Sequence, residues 1–174
     1  MNESFFSYLH RLELITFFSG YPLVYALVVS IAGQPSSANS SKKRTISLLP
    51  YAYGLVGLLY LGFQLKKLYP DYSPGHITQL MHYWFLTIWG ILAIFFLVPS
   101  VARKKVVSLL HSFVFFLLLI QDIFSQFINP EIDKSIIRND MKLYTFSVLI
   151  NAGSFILIVL IYFLMRRLIP HKKS

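Results

Sequence analysis

ITQLMHYWFLTIWGILAIFFLVPSVARKKVVSLLHSFVFFLLLIQDIFSQFI, residues 77–128, decides the fold. It reads as two long apolar segments joined by the short basic turn Pro99-Ser100-Val101-Ala102-Arg103-Lys104-Lys105. No Asp, Glu, Lys or Arg occurs from Ile77 to Ala102, and only Asp122 occurs from Val106 to Pro130. A buried soluble helix rarely stays free of charge for about 20 residues, the length that crosses a hydrocarbon core. The stretch therefore reads as a membrane hairpin with a single charge inside it.

The rest of the chain repeats the pattern. Only 13% of its residues are charged, against about 25% in a typical soluble domain. The apolar residues lie in five blocks, Leu14–Ala32, Ser47–Leu65, Ile77–Val98, Val106–Ile128 and Leu143–Met165. The shortest blocks hold 19 residues and the longest 23, enough for a core about 30 Å thick. The expected fold class is an all-α integral membrane protein. We expect a five-transmembrane-helix bundle forming a single membrane domain over residues 1–174, with no extramembrane domain and no internal repeat.

The net charge of +9 raises the question of a nucleic-acid partner. The basic residues, however, stand in short groups at the ends of the apolar blocks, where membrane orientation explains them. No nucleic-acid partner is expected. The absence of cysteine excludes disulfides, thiolate metal sites and cysteine nucleophiles.

Local signals sharpen the outline. Pro22, in Gly20-Tyr21-Pro22, removes a backbone donor and predicts a kink in the first span. Ser30-Ile31-Ala32 has the look of a signal-peptide cleavage site. The n-region is not clearly basic and the apolar run exceeds the usual h-region, so the first span is expected to be retained. Residues 34–47 form a loop closed by Lys42-Lys43-Arg44. Pro50 stands near the start of the second span, where a missing donor costs least. Gly54, Gly57 and Gly62 thin one side of that span for close helix approach. Tyr51, Tyr53, Tyr60 and Tyr69 suggest an aromatic belt near its ends. Pro70-Asp71-Tyr72-Ser73-Pro74-Gly75 carries turn chemistry. Asn129-Pro130 ends the fourth span, and residues 133–142 suggest a short amphipathic turn along the interface. Trp84 and Trp89 are expected to face lipid.

Five spans put the termini on opposite sides. One side collects ten Lys and Arg residues, from Lys42 to Arg44, Arg103 to Lys105, and Arg166, Arg167, Lys172 and Lys173. The other collects six, Arg11, Lys66, Lys67, Lys134, Arg138 and Lys142. The positive-inside rule then predicts an external N-terminus and a cytoplasmic C-terminus, in a bacterial inner membrane.

Ionisable and amide groups inside the spans are the candidate functional residues, because lipid makes them costly to leave unpartnered. His82 and Asp122 fall at similar depths, roughly 8–9 Å below the outer boundary at ~1.5 Å per residue. Consecutive helices joined by a short turn pack side by side, so the two are expected to pair. Ser108, His111, Phe115, Leu118, Asp122 and Ser125 follow 3, 4, 3, 4, 3 spacing along one inward helix face. Ser147, Asn151 and Ser154 form a shorter stripe on the last span. An outer-side polar cluster is expected from Glu13, Gln64, His82, Asp122 and Asn151. It either joins helices or binds a ligand.

His82 and His111 are separated by roughly 15 Å along the membrane normal at the same rise, so one haem cannot use both. His10 with His82 would be a haem pair only if the N-terminus folded inward. A metal set of His76, His82 and Asp122 has suitable ligand types but no recognisable spacing. No cofactor and no metal are expected. HExxH, GxSxG and Gly-rich phosphate loops are absent. The first functional expectation is a non-catalytic subunit or accessory factor of a membrane complex. Its partners would be the lipid bilayer, other membrane subunits or a second copy of itself. A small transporter, or a binder of a proton, ion or lipophilic ligand, is the alternative. A membrane redox protein or enzyme stands third.

Overall fold

A computed structural model describes residues 3–32, 40–70, 72–73, 84–128 and 134–168. Over these residues the chain is helical, with no strand. Helix α1 spans Glu3–Phe18 and α2 spans Tyr21–Ala32. A short helix α3, Ser40–Ser47, leads into α4, Leu49–Leu68. Helix α5, Trp84–Leu92, passes into a 3-10 segment, Ala93–Leu97. One turn, α6 (Pro99–Ala102), turns the corner into α7, Lys105–Ile128. Helix α8 runs from Lys134 to Leu168.

Four helical stretches are long and apolar enough to cross a membrane: His10–Ala32, Arg44–Leu68, Lys105–Phe124 and Met141–Leu168. The expected third span is represented by the shorter apolar stretch Trp84–Leu97. Its sequence-predicted beginning, 77–83, lies outside the described residues. The last helix is longer than the sequence suggested. Its 35 residues reach roughly 52 Å at 1.5 Å per residue. Residues 134–142, expected as a separate interfacial turn, belong to this same helix. Nothing in that segment breaks a helix.

The elements alternate in direction. One end of the bundle, here the Glu13 end, carries the starts of α1 and α5 and the finishes of α4 and α7. The opposite, Arg103 end carries the finish of α2, the start of α4, the α6 corner and the start of α7. Helix α8 finishes there too, because Arg44 lies 5.7 Å from the centre of the Tyr162 ring.

The core is aromatic, and its spacing is helical. Leu14, Phe18 and Tyr21 follow 4, 3 spacing, and Leu49, Tyr53, Val56 and Tyr60 follow 4, 3, 4 spacing. All are buried and face one another across α1, α2 and α4. Phe18 stacks on Phe115 of α7 at 4.7 Å and meets Tyr60 edge-on at 5.2 Å. These contacts correct the expected tyrosine belt. Tyr53 and Tyr60 are fully buried, and only Tyr69 is strongly exposed among those tested. Sequence position had placed them near span ends, but helix phase turns them inward.

The small face of α4 is real over its first half. A methyl group added at Gly57 would come within 2.8 Å of Ala93 and the Ile94 nitrogen, and one at Gly54 within 2.8 Å of the Leu97 nitrogen. The 3-10 segment packs there, backbone close to backbone. Gly62 does not take part, having no such neighbour within 4 Å.

The expected kink at Pro22 is a full break one turn earlier. Helix α1 ends at Phe18 and Ser19-Gly20 form a turn. Pro22 has no N–H to offer the Phe18 carbonyl, so the helix ladder cannot run through this point. A methyl group at Gly20 would lie 2.5 Å from the Val148 nitrogen. Only glycine lets α8 come this close.

Candidate functional site

The polar groups of the apolar segments gather at two places. The first is the Glu13 end. Here α1 presents His10, Arg11 and Glu13 within one turn. Positions i and i+3 share a helix face, while i+1 lies about 100° round. His10 and Glu13 therefore face α4 and α5, and Arg11 faces α7.

On the α4 side, Lys67 Nζ donates to both carboxylate oxygens of Glu13 at 2.8 Å. Gln64 Nε2 donates to Glu13 Oε2 at 3.4 Å, and His10 Nδ1 lies 3.5 Å from the same oxygen. His10 Nε2 pairs with the Thr87 hydroxyl of α5 at 2.8 Å. On the α7 side, Arg11 Nη2 lies 2.8 Å from Asp122 Oδ1. The same nitrogen reaches Gln121 Oε1 and the Leu118 carbonyl, each at 3.2 Å. The Glu13 and Asp122 side chains are each 13% exposed, so both carboxylates depend on these partners.

Asp122 is bridged to Arg11, which lies just ahead of the first apolar block of the sequence. His82 lies outside the described residues, as does His76, so the proposed pair and metal set are not described. Gln64 and Glu13 do meet, as expected. Lys67 and Arg11, which sequence reasoning missed as site residues, complete the network. The usable signal was the acid–base spacing at the span boundaries, where each cation lies within one turn of an apolar segment. Beside the Arg11 bridge, Leu12, Ile15, Leu119 and Leu143 line a narrow crevice with Asp122 on its wall.

The second place is the helix break, and it takes Asn151 out of the expected cluster. Asn151 Nδ2 donates to the Phe17 carbonyl at the end of α1 and to the Ser147 carbonyl, both at 2.8 Å. Ser147 Oγ accepts the Gly20 N–H at 2.8 Å. One residue thus serves an acceptor left by α1, and the other a donor that opens α2. Ser19 Oγ donates back to the Ile15 carbonyl at 2.7 Å and lies 3.3 Å from Ser147 Oγ. The Ser147, Asn151 and Ser154 stripe is buried against this break.

The predicted inward stripe of α7 faces the core: Ser108, His111 and Phe115 are buried, and Leu118 and Asp122 half-buried. The Ser125 side chain lies outside the described residues. His111 sits deep. Its Nδ1 pairs with the Tyr53 hydroxyl at 2.8 Å. Its ring stacks on Trp89 at 4.7 Å with 5° between planes. Trp89 Nε1 also donates to the His111 carbonyl at 3.4 Å. Trp89 is therefore core packing rather than the expected lipid-facing bulk, while Trp84 is exposed. The arms of the hairpin touch through these rings and through Phe96, which meets the His111 ring edge-on at 5.7 Å.

Among the described residues, no group of three or more His, Asp and Glu converges as a metal centre. Both His10 nitrogens already face Glu13 and Thr87. The chain matches no protein-family model, no curated protein and no solved structure.

Proposed function

We propose that this chain is a five-span integral membrane protein serving as a non-catalytic subunit or accessory factor of a membrane complex. The observation that carries this reading is the pairing of its intramembrane charges with each other. Glu13 is held by Lys67, and Asp122 is held by Arg11. Such pairs join helices, and here they tie α1 to α4 and α7. Residues 77–98 supply the fifth crossing in this reading. In this reading the Arg103 end, richer in Lys and Arg, faces the cytoplasm and the N-terminus lies outside, in a bacterial inner membrane. Other membrane subunits, or further copies of the chain, are the partners. No resident cofactor is assigned.

The placement of a carboxylate, Asp122, 13% exposed among apolar side chains favours a second reading, a small carrier or binder of a proton, ion or lipophilic ligand. Purification in mild detergent and reconstitution of the isolated chain separate the two. The subunit reading expects defined membrane partners to co-purify, and Asp122→Asn to lower membrane abundance without a transport defect. Solute or proton flux through liposomes holding the chain alone, lost in Asp122→Asn at normal abundance, would establish the second reading in its place.

A further inference from the structure

Charge is segregated along this molecule more sharply than orientation requires. The sequence has no Asp or Glu between Glu13 and Asp71, between Asp71 and Asp122, or after Asp140. The segments that build the Arg103 end therefore hold no Asp or Glu. They do hold Arg44 on α3, Arg103, Lys104 and Lys105 at the corner before α7, and Arg166 and Arg167 on α8. All are exposed except Lys105, which is half-buried. Along α7 the first carboxylate after Lys105 is Asp122, roughly 25 Å away at 1.5 Å per residue. Beyond a Debye length of about 8 Å at physiological salt, exposed charges no longer neutralise one another.

The Glu13 end behaves in the opposite way. There Lys67 is bridged to Glu13 and Arg11 to Asp122. At the Arg103 end, the Arg44 guanidinium lies over the Tyr162 ring, and tyrosine rings are typical of the headgroup level of a bilayer. The corner adds a further cost. Arg103, Lys104 and Lys105 stand at the start of α7, where the helix dipole is already positive. The cations come from three separate elements, so they cover the end of the bundle rather than one loop.

We propose that the Arg103 end binds anionic phospholipid headgroups. The lipid phosphates supply the counter-charge that the chain lacks. Clusters of four to eight Lys and Arg beside membrane helices draw acidic lipids in this way, each residue adding to the attraction. The inference rests on the membrane reading above but not on the assigned orientation, since acidic lipid in either leaflet would serve.

The full chain is placed in nanodiscs of phosphatidylcholine alone, or of phosphatidylcholine mixed with phosphatidylglycerol, and its Tm is measured at low and high salt. The expected result is a Tm several degrees higher with phosphatidylglycerol, with the difference shrinking in high salt. The triple change Arg103→Gln, Lys104→Gln, Lys105→Gln should remove at least half of that difference. Lys66→Gln with Lys142→Gln, two exposed cations on α4 and α8 towards the Glu13 end, should leave it in place. Equal Tm in the two lipids at low salt overturns the proposal, whichever variants fold. So does an equal loss in the Lys66 and Lys142 variant, which would mark a general charge effect. Inorganic phosphate reproducing the shift in phosphatidylcholine nanodiscs, or an acidic protein partner that alone accounts for the triple variant's defect, also overturns it. A chain that enters neither nanodisc removes the membrane reading and this inference together.

Discussion

Arg11 and Asp122 lie 2.8 Å apart across the boundary between α1 and α7, although one lies near the start of the apolar stretch His10–Ala32 and the other near the end of Lys105–Phe124. Neither is fully buried, at 29% and 13% exposure, so the bridge sits where apolar packing gives way to the rim. Its energetic meaning is asymmetric. Removing one partner strands the other charge, whereas removing both restores an apolar contact.

Asp122→Leu should therefore destabilise the protein by about 3 kcal/mol, the scale of stranding one member of a buried pair. Arg11→Met should cost as much or more, because the charge that then loses its bridge, Asp122, is the more buried of the two. The double variant should be more stable than Asp122→Leu alone. Reversible unfolding in mixed detergent micelles reads all three. A double variant whose loss equals the sum of the single losses would show that the two groups are not coupled.

The glycines make a sharper contrast. Gly20→Ala places a methyl group 2.5 Å from the Val148 backbone, and a backbone atom in a packed pair of helices cannot swing aside. The expected loss is at least about 2 kcal/mol, in the upper range for overpacking. Gly153→Ala on α8 meets no neighbour within 4 Å. It should be neutral or gain up to about 1 kcal/mol from helix propensity. Both variants can be compared by Tm in the same detergent. A well-tolerated Gly20→Ala would show that α1 and α8 do not approach this closely.

The two glycines also mark the limit of sequence reading. Apolar block length located the helical segments, four of which are long and apolar enough to cross a membrane. Proline placed the break in the first span to within one turn. The spacing of Ser108, His111 and Phe115 revealed the inward face of α7. The sequence could not reveal partners joined by tertiary approach. Arg11 and Lys67 looked like boundary charges for topology, yet each bridges a carboxylate on another helix. Asn151 sat at a plausible depth for the rim cluster. Its neighbour proved to be the broken end of α1, because Gly20 allows α8 to close on that point.

The break predicts its own variants. Asn151→Ala removes the donor to the Phe17 carbonyl, and Ser147→Ala removes the acceptor of the Gly20 N–H. Each leaves a backbone group unmatched inside the bundle, at a cost of about 1–3 kcal/mol. Asn151→Asp should be worse than Asn151→Ala, because an ionised carboxylate would face the same carbonyl it now serves. Hydrogen exchange of the amides from Ser19 to Val24 should rise in all three variants, while those of α4 stay protected. Uniform loss of protection along the chain would assign these residues to global packing instead.

His111 provides the last test, since its ring is both a packing element and a hydrogen-bond partner. Tyr53→Phe removes only the hydroxyl that meets Nδ1, and should cost about 1 kcal/mol. His111→Ala also opens a space between Trp89, Phe96 and Phe115, which pack around the ring. It should cost about 3 kcal/mol or more, as aromatic truncations in cores do. His111→Phe keeps most of the volume and should fall between the two. Tryptophan fluorescence provides a local readout, because Trp89 lies against the imidazole while Trp84 is exposed. His111→Ala should shift the emission to the red as water or detergent reaches Trp89. Unchanged emission together with unchanged stability would mean that the Trp89 and His111 rings do not hold the hairpin arms together.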